Sequence, residues 1–393
     1  MLARLAFGDL PKKPHTALRD SAGRLRYEEC VTRRGFDGPF TILYHEHRPH
    51  EAIPVGARAG WAPARRESPS PLRRHFRGGE LVSSGGSVLH ARSVLLENDD
   101  VALALVRPST DDDAYFSNGD GDDLYFIHDG SGLLRSQFGD LRFGTNDYLC
   151  VPRGLLHRFV LDTGVKQHFL VIECRGGLSL PKQYRNEVGQ LRMDAPYSLR
   201  DFRVPAFAGP SDEGIRASVV QRQGSFYGFE HARSPLDVVG WDGAVYPWAF
   251  SILDFQARVG QVHLPPTMHA TFELGGALLC SFVPRPLDFH PAAVSCPYPH
   301  SSVDIDEVIY YVSGTFTSRK GVGPASLSLH PAGIAHGPHP GAYEASVGAT
   351  HTDELAVMLD CQRPLFATTL ALSVEDASYH RSFVEPASSQ FTG

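Results

Sequence analysis

One pattern occurs twice in this chain, and it constrains the fold more than any other feature. Residues 115–130 read YFSNGDGDDLYFIHDG, and residues 299–314 read PHSSVDIDEVIYYVSG. Each is followed by a proline–glycine–histidine turn, PRGLLH at Pro152–His157 and PAGIAH at Pro331–His336. When each pair of segments is overlaid without gaps, His300 falls on Phe116, Glu307 on Asp123 and His336 on His157. A duplicated stretch of this length implies two structurally similar halves. The second copy keeps two histidines and a carboxylate, whereas the first has phenylalanine in place of one histidine. Two imidazoles and a carboxylate around open positions are the donor set of oxygen-activating Fe(II) sites, so metal chemistry is expected in the second half alone.

The rest of the chain reads as strands. Runs such as VALALV, LYFIHD, YLCVP, HFLVIEC, AFSILDF, ALLCSFV, VIYYVSG, SLSLH and LAVMLD are four to eight residues long and rich in β-branched and aromatic residues. The 38 glycines and 29 prolines are spread between them as turn formers, and no segment sustains apolar residues at helical spacing. An all-β fold of two jelly-roll barrel halves is expected, since closed or double-sheet barrels protect strand edges. The boundary is expected near residue 230, giving 1–230, with its early loops and edge strands, and 231–393.

The net charge of −7 gives no footprint for nucleic acid or an anionic membrane surface. Arginines 65, 66, 73, 74 and 77 are interleaved with serine and proline and read as a solvated loop. Six widely spaced cysteines without a CxxC pair fit a reduced compartment, and neither a signal-peptide core nor a membrane span is visible. A cytoplasmic protein is the expectation. No dinucleotide or phosphate-loop motif is present.

His300 and Glu307 are seven residues apart, which on one strand would place them on opposite faces. The turn-rich SSVDID between them instead lets His300 end one segment while Glu307 opens the next. The Pro331–Gly333 turn then returns His336 beside Glu307. Iron is expected ahead of zinc or manganese at this triad. His263, His269, His330 and His339 are close in sequence and are candidates for proton transfer or for orienting the ligands. A competing motif, HEHRPH at 45–50, lacks a nearby carboxylate–histidine partner and reads as a surface loop.

These segments resemble the homogentisate 1,2-dioxygenase family in its shorter bacterial form. The resemblance is carried by LYHEHRP, SPLDVVGWDGAVYPWAF, VHLPPTMHATFE, SFVPRPLDFHP, PYPHSSVDIDEVIYYVSG, SLSLHPAGIAHGPHPGAYEASVG and TDELAVMLD. It implies a bicupin assembled as a trimer or hexamer, with Fe(II) only in the C-terminal barrel. It also implies dioxygen-dependent ring opening of homogentisate to maleylacetoacetate, a step in tyrosine and phenylalanine breakdown. On this basis the iron ligands are His300, Glu307 and His336, the acid/base residue is His263, and His330 and Tyr298 meet the substrate. Phe316 and Ser313 stand where longer members carry tyrosine and arginine, leaving Arg319 or Lys320 as the nearest cations in sequence for a substrate carboxylate. Rival readings are a gentisate-type or other hydroquinone dioxygenase, a metal-dependent cupin isomerase and a non-catalytic ligand-binding bicupin.

Overall fold

The structure is a computed structural model. It describes residues 2–61, 66–67, 70–82, 85–260, 266–316 and 321–384, with only the backbone at 266 and 267. Among them, strands dominate and helices are limited to single turns.

The strand Asp122–Asp129 shows how sequence becomes architecture. Successive side chains point to opposite faces. Tyr125 and Ile127 pack into the first barrel with Leu149, Phe159 and Phe169, whereas Leu124 and Phe126 face the second barrel. Its counterpart Asp306–Ser313 alternates the same way. Ile309 lies against the small inner cluster of the second barrel, and Val308, Tyr310 and Val312 face the first. Both strands are therefore apolar on both faces, and each fully buried Leu, Val or Phe on them contributes about 1.5–3 kcal/mol.

The first barrel is a seven-stranded sheet facing an eight-stranded one, counted over the described residues. The second is built on a six-stranded sheet in the order 270–273, 277–282, 355–361, 306–313, 327–330, 74–76. Where the eight- and six-stranded sheets meet, Tyr148 and Phe272 rings lie 5.6 Å apart and Phe126 and Tyr310 rings 6.4 Å apart. The Tyr148 hydroxyl and Ser281 Oγ share a buried hydrogen bond of 2.9 Å across this seam, and Ser281 in turn meets Thr271 at 2.7 Å. These bonds satisfy polar groups that burial would otherwise make costly.

Strands cross between the halves. Arg74–Phe76 pairs with Leu327–Leu329 in the second barrel, and Phe366–Ala367 pairs with Leu96–Glu97 in the first. Trp248–Ser251 pairs with Asp147–Cys150, and Val238–Gly243 with Thr41–His45, so hydrogen bonding of the first barrel continues past residue 230. The arginine-rich segment is not a solvated loop. Arg74 is buried and holds Glu375 with two bonds of 2.6 and 2.7 Å, Arg77 meets Asp376 at 2.9 Å, and Arg66 meets Glu97 at 2.8 Å. Their acidic partners lie up to 301 residues away, which is why the local sequence looked unpartnered. Arg65 lies outside the described residues.

Candidate metal centre

Glu307 is the second residue of the strand Asp306–Ser313 and points into the second barrel. His300 and His336 face each other on an isolated antiparallel bridge, each backbone N–H donating to the other's carbonyl at 2.8 and 2.9 Å. The turn between Pro331 and His336 needs Gly333 in the left-handed region, at φ 76°, and its Ala332 N–H donates to Asp306 at 2.8 Å. Each imidazole is oriented by a carbonyl two residues earlier in the chain. His300 Nδ1 lies 3.1 Å from Tyr298 O, and His336 Nδ1 lies 2.9 Å from Ile334 O. Such contacts fix the ring and direct Nε2 to the other side, as in metal-binding histidines.

Both Nε2 atoms face the same carboxylate oxygen. Glu307 Oε2 is 3.8 Å from His300 Nε2 and 3.7 Å from His336 Nε2. These gaps are too long for hydrogen bonds, yet donors sharing one ion about 2 Å away stand roughly 3–4 Å apart. His336 Nε2 is buried without a hydrogen-bond partner. One donor atom from each of the three residues lies within 4.8 Å of the others, so the group can hold a metal ion. Burial opposes ionisation of Glu307, but the imidazoles of His300, His330 and His336 outweigh it and hold the carboxyl well below its usual range. It is therefore ionised at neutral pH.

His330, wholly buried, holds the other carboxylate oxygen, with Nδ1 2.7 Å from Glu307 Oε1 and its ring stacked 4.6 Å from that of His336. On the opposite side of Glu307 is Asp360, its partner in register. Burial and the nearby negative charge of Glu307 raise the Asp360 carboxyl to about 7. The sequence reading missed Asp360, although the repeat contains its signal: HFLVIEC and LAVMLDC both end in an acid followed by cysteine.

The first barrel fills the equivalent space with protein. Phe116 pairs with His157 as His300 pairs with His336, and His157 Nδ1 meets the carbonyl of Leu155 at 3.0 Å. Asp123 takes the place of Glu307 and Val151 that of His330, judged by register. Instead of facing an open donor set, Asp123 receives both guanidinium ends of buried Arg92, at 3.2 and 3.1 Å. Arg92 also lies 3.9 Å from the Trp61 ring, and Trp61 packs edge-on to Phe116 at 5.8 Å. A fixed protein cation thus neutralises the carboxylate.

The remaining candidates are scattered. His269 is buried against Phe282, and His339 is buried against Tyr379 and Phe383 with Nε2 2.9 Å from Ser382 Oγ. His263, Arg319 and Lys320 lie outside the described residues. Tyr298 is 57% exposed beside His300, Ser313 is exposed at its strand end, and Phe316 packs edge-on to Tyr311 at 4.7 Å. His45 is not on a surface loop. It closes the strand Phe40–His45, buried, with Asp237 at 2.7 Å and Glu29 at 3.1 Å. Burial opposes its protonation, but these two carboxylates prevail and raise it to about 9.

Two cupin-type barrels in one chain, one with a His–Glu–His group able to hold a metal ion and one with Phe116 and Asp123 at the matching places, define a bicupin. The family model "Homogentisate 1,2-dioxygenase N-terminal" matches residues 91–252. A candidate dioxygenase of Saccharolobus solfataricus is 33% identical over 96% of this chain and 97% of its own length. The homogentisate 1,2-dioxygenase of Nitrobacter hamburgensis is 25% identical over 59% of this chain, and the match spans about half of that enzyme, 52%. A Rhodopseudomonas palustris homogentisate 1,2-dioxygenase is 23% identical over 86% of this chain and 76% of its own length. The chain belongs to the homogentisate 1,2-dioxygenase family.

Proposed function

We propose that the chain is a ring-cleaving dioxygenase in which His300, Glu307 and His336 hold Fe(II) and the substrate is homogentisate or a close hydroquinone. The relatives support a dioxygenase-type enzyme. The observation that carries the metal assignment is the pair of Nε2 atoms aimed at Glu307 Oε2 at 3.7 and 3.8 Å, with His336 Nε2 otherwise unpartnered. When bound, Fe(II) supplies the electron transfer that lets dioxygen react with an electron-rich ring. The protein supplies position and protons. Backbone carbonyls of Tyr298 and Ile334 lock the two imidazoles, and His330 holds Glu307 in place. By the family resemblance, His263 takes a proton from a ring hydroxyl, and His330 and Tyr298 meet the substrate.

In this reading residue 230 separates chemistry rather than strands: the 231–393 part provides the iron ligands and the 1–230 part a barrel without that triad. The assembly is a trimer or hexamer. Phe289, Tyr298 and Val303, exposed by 77, 57 and 73%, offer apolar surface for such contacts. Free cysteines throughout support a cytoplasmic setting, and no helix among the described residues is long and apolar enough to cross a membrane.

A specific observation favours a second substrate reading. Phe316 brings no hydroxyl and Ser313 no charge, so neither can pair a carboxylate as a tyrosine and an arginine could. A lost charge-assisted bond is worth roughly 1.5–3 kcal/mol, about ten- to a hundredfold in affinity. Protein loaded anaerobically with Fe(II) should consume oxygen when given homogentisate, gentisate or an uncharged alkyl hydroquinone in air. Best turnover of homogentisate assigns that substrate, and best turnover of the uncharged ring assigns a specialised relative. No oxygen uptake with any of the three refutes ring cleavage of this class.

A further inference from the structure

A second donor cluster lies about one strand length from the first-barrel counterpart of the metal site. His128 and Asp129 end the strand Asp122–Asp129, and His168 begins the strand His168–Cys174. Donor atoms of these three lie within 4.8 Å of one another. The two imidazole rings are 4.9 Å apart.

The repeat shows that the fold does not require these imidazoles. Both copies carry a register shift at this point, between His168 and Phe169 in the first and between Tyr311 and Ser313 in the second. By that register the positions of His128, Asp129 and His168 correspond to Val312, Ser313 and Leu355. Val312 and Leu355 are buried apolar residues of the seam. One copy thus completes the seam with hydrocarbon, and the other places two histidines and an aspartate there.

The nitrogen inventory points to a ligand. His168 is 2% exposed, and its Nε2 is buried without a hydrogen-bond partner, as His336 Nε2 is in the second barrel. His128 Nδ1 lies 2.9 Å from the hydroxyl of Tyr310, which reaches across from the second barrel. That contact orients the ring and leaves Nε2 for another partner, the arrangement found behind metal-binding histidines. We propose that His128, Asp129 and His168 form a second divalent-metal site at the seam between the barrels. Two imidazoles and one carboxylate suit a borderline ion such as Zn2+. Burial lowers the basicity of both rings, His168 to about 2, so both are neutral donors at physiological pH.

Two cations are nearby. Lys166 Nζ is 3.1 Å from Asp129 Oδ2 but its side chain is 76% exposed, so it can turn to water when an ion arrives. Arg107 is held by the carbonyls of Gly78 and Leu81 and stays in place. The ion would tie two first-barrel strands beneath Tyr310, and its site is separate from the proposed oxygen chemistry.

Zinc provides the test, with the full chain and no activity assay. The variant His336→Ala disables the triad, so any remaining stoichiometric zinc reports the seam. After loading and desalting, His336→Ala should retain about one zinc per chain, and zinc should raise its Tm. Adding His168→Leu, which installs the residue of the other copy, should remove that zinc and the Tm response. His168→Leu alone should keep the triad metal and a normal circular dichroism spectrum. Zinc-free His336→Ala, or equal zinc in His336→Ala with and without His168→Leu, would overturn the proposal.

Discussion

The two barrels share one scaffold but treat a buried carboxylate in opposite ways. In the first, Asp123 is paired by the guanidinium of Arg92, packed under Trp61 beside Phe116. In the second, Glu307 faces two imidazole nitrogens across gaps that no hydrogen bond fills. A buried anion must be neutralised or be costly. One copy does so with a permanent internal cation, and the other retains donors suited to an external one. The first copy therefore differs by more than Phe116 at the position of His300: its buried acid has a resident positive charge.

The largest effect expected from breaking this contrast is at His336. His336→Ala removes one of three donors, so triad iron and oxygen uptake should be lost while the circular dichroism spectrum is kept; undiminished iron in the protein that also carries His168→Leu would refute the assignment. Next is Arg92→Leu, which strands Asp123 without its cation. Breaking a buried pair from one side costs about 3–5 kcal/mol, to be read from urea unfolding, and Arg92→Leu with Asp123→Leu should recover part of it. Phe116→Ala should cost about 3 kcal/mol with turnover per iron unchanged. Lost chemistry at a normal Tm would instead give Phe116 a role in the reaction.

The smallest effect concerns His157. Burial pulls it down from 6.5 to about 4, so the unfolded chain binds a proton there that the native chain does not. Its contribution is at full strength above pH 6.5 and is lost as pH falls towards 4, at up to about 1.4 kcal/mol per pH unit. His157→Leu should flatten the acid side of the stability profile by that slope; an unchanged slope would mean His157 is protonated in the folded barrel.

Much of this contrast was legible because it lies in short, nearly contiguous motifs. The repeat overlay placed Phe116 at the position of His300 and His157 at that of His336, and runs of β-branched and aromatic residues gave the strands that carry Asp123 and Glu307. What stayed hidden depends on partners far away in sequence. Arg92 is 31 residues from Asp123 on a different strand, and nothing local marks it as that acid's counter-ion. His45 resembled half of a loop metal motif because its partner Asp237 is 192 residues on. Asp360 could have been found by extending the overlay one strand further. The seam histidines could not be distinguished from ordinary strand residues, since the register shift that gathers them is a property of the sheet.

The exchanged strands bear on how the molecule is made. The edge of the second-barrel sheet, Arg74–Phe76, is synthesised some 250 residues before the strand Leu327–His330 that it covers, and the first-barrel sheet waits for Phe366–Ala367 near the end of the chain. During translation the first-barrel sheet therefore has an open strand edge and Arg74–Phe76 waits for its partner strand, features prone to pairing with another chain. Closure of both comes late and through long-range contacts, which are slow to form. Once closed, neither barrel can be excised without exposing the other, so the copy that lacks the His–Glu–His group is retained as half of a shared enclosure.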